Sequence, residues 1–172
     1  WPGDVGVLLK VTHLGFDPAQ KGGMESVAGC VAPMQIGDVM RGSGIGEVVQ
    51  ANRPDYGVGD VLVGMTGWNE YAALSPETME RPVDGLSPTT MLGPLGTTGM
   101  TAYCGLFKLG KPVAGETVGV SGAAGATGSI VGQLAKIAGC KTIGIAGGPE
   151  KCAWLTEEVG YDAAIDYKEG SV

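Results

Sequence analysis

The chain has 172 residues, of which 44% are hydrophobic and 17% charged, and its formal net charge is −7. This apolar fraction is ordinary for a globular protein and excludes a disordered chain. The negative charge, without any Lys/Arg-rich run, disfavours nucleic acid or an anionic membrane surface as a partner. The 32 glycines have no triplet period, which excludes collagen and predicts many tight turns.

Cysteine and histidine are too scattered to indicate a metal site or a disulfide framework. The four cysteines, Cys30, Cys104, Cys140 and Cys152, form no C-x-x-C pair, and His13 is the single histidine. This spacing predicts no zinc site and favours reduced thiols, as in a cytoplasmic protein. The first residues lack a basic segment followed by an apolar core, and no apolar run approaches the ~20 residues of a membrane span.

Residues 1 to about 100 are typical of short strands separated by turns. Each strand candidate carries Val, Ile, Leu or Tyr between Gly, Asp, Asn and Pro. The candidates are DVGVLLKVTHLGF, SGIGEVVQAN, GDVLVGMTG and WNEYAALS. Many short strands with this punctuation predict a small barrel or sandwich.

From about residue 101 the pattern changes to alternating helices and strands. The first helix, TAYCGLFKLG, is expected to end at Gly110 as its C-cap. Three strands follow, ETVGVSG, KTIGIAGG and DAAIDY, separated by the helices ATGSIVGQLAKIAG and PEKCAWLTEEVG. The first of these helices places Ile130, Val131, Leu134 and Ile137 on one face. This order predicts a parallel sheet with right-handed crossovers.

The run GAAGATG leaves the first of these strands and opens the next helix. Gly122, Gly125 and Gly128 are spaced G-x-x-G-x-x-G, which is a weak signal alone, but the strand–turn–helix context is that of a dinucleotide loop. A pyrophosphate can lie against free backbone N–H groups at the positive end of the helix. Gly128 would let the helix pack closely on the sheet. The alternative is a tight turn without a ligand.

The end of the second parallel strand bears on which nucleotide binds. An NAD site usually has Asp or Glu there, whereas GIAGGPEK has Gly147 and Gly148 and no carboxylate at the tip. Lys151 follows in the next helix, and a bare tip with a nearby cation favours the 2′-phosphate of NADP. Lys151 could also be an ordinary surface lysine. Tyr167, at the end of the third strand, is either a cofactor contact or an edge tyrosine that covers the core.

With these residues in place, the sequence resembles the zinc-independent medium-chain dehydrogenases/reductases. More narrowly, it resembles the leukotriene B4 dehydrogenase/prostaglandin reductase and alkenal double-bond reductase branch. The stretches that carry this resemblance are DPAQKG, IGDVMRGSGIGEVV, GWNEYA, LGTTGMTAYCGL, GAAGATGSIVGQLAKIAGCKTIGIAGGPEKCAWL and GYDAAIDYK. They run through nearly the whole chain in unbroken order.

The resemblance implies an α/β protein with two domains. Residues 1–100 are expected to form a GroES-like, partly open β-barrel that carries the substrate site. Residues 101–172 are expected to form the first half of a Rossmann doubly wound parallel sheet that binds NADP. Such a sheet has six strands, so we expect a longer native chain that is truncated here after the third strand.

The resemblance also implies the cofactor, the reaction and the residues of the site. It implies NADPH-dependent reduction of the C=C bond of α,β-unsaturated ketones or aldehydes, by hydride transfer to the β-carbon and without zinc. Lys151 is expected at the 2′-phosphate, Tyr167 against the cofactor, and Gly148 in the turn that leaves room for it. The remaining expected cofactor contacts are the phosphate loop Gly125, Ala126, Thr127 and Gly128 and, at the nicotinamide end, Met100 and Thr101.

Some expectations stay open. A quinone reductase of the same superfamily and a non-catalytic nucleotide-binding protein are the alternative functions. No catalytic residue is identified, because Tyr71 and Tyr103 are interpreted as structural. Some members have an aromatic residue where this chain has Ala19, which predicts a wider substrate pocket, and the family's usual small residue in place of Gly122 is expected to matter little. Relatives are commonly homodimers, which implies one here.

Overall fold

The computed structural model describes residues 6–25 and 32–169. Cys30 and the first residues of the first predicted strand, Asp4 and Val5, lie outside the described residues. The chain divides into two compact units, Trp1–Leu92 and Gly93–Val172. The boundary between the units along the chain therefore falls between Leu92 and Gly93, whereas the sequence pattern placed the boundary near residue 100.

The first unit contains a five-stranded antiparallel sheet with the strand order β4-β1-β2-β3-β5. A short helix, α1 (Pro18–Met24), follows the first strand, and 3₁₀ turns lie at Pro76–Thr78 and Pro88–Leu92. The strands are β1 (Val7–Leu14), β2 (Gly44–Ala51), β3 (Val61–Gly64), β4 (Tyr71–Leu74) and β5 (Met79–Glu80). The four predicted strands are confirmed as β1 to β4, whereas α1 and β5 were not predicted.

Alternation of side chains builds the core of this sheet. Val7 and Leu9 of β1 are fully buried, and Leu9 pairs with Val48 of β2. Leu62 and Met79 complete the buried cluster on the same face. Residues two apart point to one face of a strand, so Ile45 and Val63, which pair with each other and are also buried, lie on the face opposite to Val48 and Leu62. His13, in contrast, is exposed on β1 beside Thr12.

The second unit contains a three-stranded parallel sheet with the order β6-β7-β8. Its elements are α2 (Thr97–Tyr103), which continues as a π-helical segment (Cys104–Gly110), β6 (Thr117–Ser121), α3 (Ala126–Ile137), β7 (Lys141–Ala146), α4 (Pro149–Trp154), which continues as a π-helical segment (Leu155–Val159), and β8 (Ala163–Asp166). The predicted strand–helix–strand–helix–strand order is confirmed. No helix in the described part of the chain is long and apolar enough to cross a membrane.

Four local predictions for this unit were wrong. The first helix begins at Thr97 rather than Thr101, and its last turn is followed by Lys111 in the left-handed conformation (φ 48°), so Gly110 is not the cap. Ile137 is 81% exposed and does not face the core. Strand β8 ends at Asp166, and Tyr167 follows it, although the Tyr167 N–H still donates to the carbonyl of Ala146.

The core of the second unit lies between the sheet and its helices. One buried cluster joins β6 and β7 to α4 and the following segment, and contains Val120, Ala123, Ala146, Leu155 and Tyr161. A second cluster joins the end of α2 to α3 through Leu106, Ala135 and Cys140. The buried positions of α3 itself are Gly128, Gly132 and Ala135. Helix α3 therefore packs through small residues, which explains why the larger Ile137 was wrongly placed.

Candidate functional site

The turn between β6 and α3 is built from glycines that the backbone requires. Gly122 has φ +57°, a conformation that strains residues with a Cβ, so this glycine matters more than the sequence indicated. The Gly125 N–H donates to the Gly122 carbonyl oxygen at 2.9 Å, which closes the turn. Gly125 is the N-cap of α3, and no side chain caps the helix. The first-turn N–H groups of Ala126, Thr127 and Gly128 have no intrahelical partner and suit an anion.

Gly128 allows the first turn of α3 to lie directly against this loop. A Cβ at Gly128 would collide with the carbonyl oxygen of Gly122 and would lie 2.7 Å from the Cα of Ala123. The close approach is therefore to the loop that leaves β6, and not to a strand of the sheet as the sequence indicated. Any larger residue would push the start of α3 away from the loop and change where the free N–H groups point.

Tyr161 packs against the N-terminal half of α3. Its phenolic hydroxyl donates to the carbonyl oxygen of Gly128 at 2.7 Å, and its ring lies against Gly132. The side chain is buried, and burial raises the pKa of Tyr161 to about 12. The hydroxyl therefore stays protonated and remains a hydrogen-bond donor.

A second group of residues meets at the carboxyl end of β7. Gly148 has φ +102°, and a Cβ at Gly147 would lie 2.6 Å from the Tyr167 hydroxyl oxygen and 3.0 Å from the Cε of Lys168. The side chains of Tyr167 and Lys168 therefore lie over the backbone of Gly147, where no Cβ blocks them. Tyr167 is 53% exposed, so its ring also faces outward.

Asp166 joins the ends of the two strands at this point. It lies opposite Ala146 in the parallel register, and its Oδ1 accepts hydrogen bonds from the N–H groups of Gly148 and Lys168, each at 2.9 Å. These two donors lower the pKa of Asp166, so its carboxyl group is ionised. Its Oδ2 is buried and has no partner in the described part of the chain.

Gly147 was expected at the tip of β7, whereas Asp166 and Lys168 were missed as members of this cluster. The tip was predicted to be free of carboxylates because the residues that directly follow β7, Gly147 and Gly148, carry none. The available signal was the parallel order itself, since neighbouring parallel strands bring their carboxyl ends to one edge of the sheet. A carboxylate from β8 therefore reaches the turn after β7.

The predicted site residues fall into three places. Gly125, Ala126, Thr127 and Gly128 form one continuous loop and helix start, whereas Gly148 and Tyr167 meet through Gly147 and Asp166. Lys151 is exposed on α4, beside the exposed Glu150. Met100 and Thr101 lie on α2, which packs against α3.

The side chains on α2 are already engaged within the helix. The Thr101 hydroxyl donates to the carbonyl oxygen of Thr97 at 2.7 Å, and the Cys104 thiol donates to the Met100 sulfur at 3.8 Å. Met100 is nevertheless 64% exposed and free to contact a ligand. Tyr103 packs against Phe107, with ring centroids 5.2 Å apart and ring planes inclined by 57°.

Metal-binding side chains do not gather among residues 6–25 and 32–169. No three His, Cys, Asp or Glu residues come close enough there to hold a metal ion. Cys104, Cys140 and Cys152 are free thiols, and Cys30 lies outside the described residues.

Comparisons with known proteins show what this chain is similar to. Residues 1–81 match the model described as the N-terminal domain of oxidoreductase. The chain is 41% identical to the NADPH-dependent curcumin reductase of Escherichia coli (strain K12) over 96% of its length, and 39% identical to the NADP(+)-dependent 2-alkenal reductase of Nicotiana tabacum over 95%. It is also similar to prostaglandin reductase 1 of Bos taurus, at 38% identity over 94% of this chain.

These matches show that the chain is similar to the zinc-independent medium-chain dehydrogenases/reductases. It covers 48% of each of these three relatives, and so spans about half the length of the curated relatives that it matches. The crystal structure of CurA from Vibrio vulnificus in complex with NADPH superposes on this chain with a TM-score of 0.89 at 37% identity, and the match covers 97% of this chain and 50% of CurA.

The predicted fold class is confirmed. A Pseudomonas syringae quinone oxidoreductase has the same fold, with a TM-score of 0.75 at 25% identity. The match covers 100% of this chain and 53% of the quinone oxidoreductase. The antiparallel sheet of the first unit is the GroES-like, partly open barrel element. The three parallel strands of the second unit are the first strands of the Rossmann sheet.

Proposed function

We propose that the protein containing this chain reduces the C=C bond of α,β-unsaturated ketones and aldehydes with NADPH. The observation that carries the proposal is the glycine loop at α3, whose uncapped first turn and missing Cβ atoms leave backbone N–H groups open to a pyrophosphate. The names of the relatives support the same chemistry, since they include an NADP(+)-dependent 2-alkenal reductase and an NADPH-dependent curcumin reductase.

The residues of the two loops fit this cofactor. Gly125, Ala126, Thr127 and Gly128 would hold the pyrophosphate, because a side chain at Gly128 would close the loop. Gly148, Lys151 and Tyr167 would hold the adenosine with its 2′-phosphate, Lys151 by charge and Tyr167 by its exposed ring and hydroxyl. Lys168, which lies over Gly147, adds a second cation beside Tyr167. We propose the domain assignment on the same basis, with residues 1–100 serving the substrate and 101–172 the cofactor.

Each part of the chain has a separate task in the reaction. When bound, NADPH supplies the hydride that reaches the β-carbon of the substrate. The loop at α3 binds and orients the phosphates, and Tyr161 keeps that loop rigid through its hydrogen bond to Gly128. Met100 and Thr101 would lie towards the nicotinamide end, where the exposed Met100 offers an apolar contact. No side chain of this chain is assigned the proton transfer.

We also propose a substrate, a compartment and an oligomeric state for the whole protein. Its partner is a small-molecule enone or enal, and it works in the cytoplasm as a homodimer, as the family resemblance implies. The alternatives are a quinone reductase, a function named for a structural neighbour, and a nucleotide-binding protein without turnover.

The test is an assay of the whole protein with NADPH and, in parallel, NADH. The reduced cofactor is followed by its absorbance with a 2-alkenal, an aryl-substituted enone and a quinone as substrates. Consumption of NADPH with the enone or alkenal, and little with NADH, supports the proposal. Turnover of the quinone alone would favour the quinone reductase, and NADPH binding without any turnover would favour the non-catalytic alternative.

A further inference from the structure

Asp166 has a place in the cofactor-binding unit that neither the glycine loop nor the basic residues explain. Its side chain crosses from the end of β8 to the turn that follows β7, and one oxygen, Oδ1, accepts both hydrogen bonds. The donors, Gly148 and Lys168, belong to two different segments of chain. A single atom therefore ties these segments together.

Both segments need such a tie. Gly148 has φ +102°, a conformation that favours glycine. It is the N-cap of α4, and its carbonyl oxygen accepts a hydrogen bond from the Cys152 N–H, whereas its own N–H donates to Asp166. Lys168 follows Tyr167 in the turn after β8. Because Tyr167 lies between Asp166 and Lys168, the hydrogen bond to the Lys168 N–H also fixes the direction in which the Tyr167 ring leaves the sheet.

We propose that Asp166 is a positioning residue for the adenosine 2′-phosphate, and that it sets the preference for NADPH over NADH. This inference rests on the proposed function, since it assumes that Gly148, Lys151 and Tyr167 surround that phosphate. Asp166 acts through the two backbone N–H groups and does not contact the cofactor. Without the tie, the hydrogen bond from the Tyr167 N–H to the Ala146 carbonyl oxygen remains, but the N–H groups of Gly148 and Lys168 lose their acceptor. The Gly148 turn and the Tyr167 side chain are then less ordered around the phosphate, while the rest of the nucleotide keeps its contacts.

The geometry of Asp166 supplies a matched pair of variants. Because only Oδ1 is used and Oδ2 has no partner in the described part of the chain, Asp166→Asn keeps an oxygen that can accept both hydrogen bonds. Asp166→Ala removes both. Asp166→Asn also removes a negative charge near the proposed phosphate. If that charge weakens NADPH binding by repulsion, Asp166→Asn binds NADPH more tightly than the wild type.

The first experiment needs no cofactor. Amide hydrogen exchange at Gly148 and Lys168 is measured in the cofactor-free whole protein for the wild type and both variants. We expect faster exchange at these two amides in Asp166→Ala, by about tenfold or more if each hydrogen bond contributes about 1.4 kcal/mol. In Asp166→Asn, we expect a smaller increase than in Asp166→Ala, because the neutral amide oxygen still accepts both hydrogen bonds but more weakly than a carboxylate. Equal exchange in Asp166→Ala and the wild type would overturn the proposed tie.

The second experiment measures dissociation constants for NADPH and NADH by calorimetry. We expect Asp166→Ala to reduce the preference for NADPH by about tenfold, mainly through weaker NADPH binding, since one lost hydrogen-bonded contact is worth about that factor. Asp166→Asn should keep the wild-type preference or increase it. A merely structural role would lower thermal stability in Asp166→Ala and weaken both cofactors equally, which would contradict the proposal.

The outcomes separate this inference from the proposed function. If the wild type binds neither cofactor, the proposed function fails, and the inference fails with it. If the wild type prefers NADPH and Asp166→Ala keeps that preference, only the role of Asp166 is overturned. A loss of preference in Asp166→Asn as large as that in Asp166→Ala would also overturn it, because the hydrogen bonds are retained there.

Discussion

Tyr161 lies with its ring against Gly132 and its hydroxyl oxygen 2.7 Å from the carbonyl oxygen of Gly128. One buried side chain, placed just before β8, thus contacts two successive turns of α3. The start of α3 carries the backbone groups proposed to hold the pyrophosphate, so their position depends on this packing. The tyrosine is protonated at any ordinary pH because burial raises its pKa to about 12.

Gly132→Ala is expected to destabilise the second unit. The added methyl group would overlap the Tyr161 ring, which is only 4% exposed and has little room to move. Overpacking of this kind costs about 1–3 kcal/mol, partly offset by the higher helix propensity of Ala. Urea denaturation of the whole protein measures the change.

Gly22→Ala is the matched control, since Gly22 also lies in a helix but has nothing within 4 Å of the added carbon. This control should be neutral or gain up to about 1 kcal/mol. If both variants gave the same stability, the close packing of Tyr161 on α3 would be contradicted.

Asp162, just before β8, is expected to make the stability of the second unit depend on pH. Its carboxylate accepts from Lys136 Nζ at 2.6 Å and from the Thr142 N–H at 2.7 Å, and these lower the pKa of Asp162 from 3.8 to about 2. Since the folded pKa is the lower one, the stabilisation is complete above about pH 4 and is lost as the pH falls towards about 2.

The measurement compares the wild type with Asp162→Asn by thermal unfolding between about pH 7 and 2. We expect the variant to be less stable at neutral pH and the difference to shrink below about pH 4, because protonation removes the same interactions from the wild type. Both residues of the ion pair are partly exposed, so the effect is modest. A difference that stayed constant over this range would contradict the role of the ionised carboxylate.

Lys111 ends the helical segment after α2 in the left-handed conformation, with φ 48° and ψ 51°. Residues with a Cβ pay about 1–2 kcal/mol for this conformation, whereas glycine adopts it freely. Lys111→Gly should therefore stabilise the protein by about 1 kcal/mol. Lys111→Ala removes the charge but keeps the Cβ, so it should show no such gain in urea denaturation. A gain of equal size in Ala would show that the charge, and not the backbone, is responsible.

The sequence predicted the order of the strands and helices better than it predicted how they pack and where the helices end. The order of strands and helices after residue 101 was correct, because periodicity and glycine punctuation are local signals. Ile137 was placed on the wrong face, because α3 packs through Gly128, Gly132 and Ala135, which carry no hydrophobic signal of their own. Lys111 was missed as a cap because glycine is the residue expected there.

The candidate site was predicted in part for the same reason. The loop from Gly122 to Gly128 is contiguous, so its residues could be identified from one stretch of sequence. Asp166 lies at the end of β8 and acts on the turn after β7, and only the register that pairs it with Ala146 reveals this. Contacts between strands depend on register and side-chain direction, which one sequence does not provide.

We propose that this chain binds NADPH through the glycine loop and the basic residues near Gly147. Calorimetric titration of the whole protein with NADPH and NADH, for the wild type and Lys151→Ala, tests it most directly. Lys141→Ala is the control, because Lys141 is also exposed but lies at the amino end of β7. We expect Lys151→Ala to weaken NADPH binding by about ten- to a hundredfold, the loss of a charge-assisted contact, with little change for NADH. Equal affinity of the wild type for both cofactors, or no binding of either, would contradict the account.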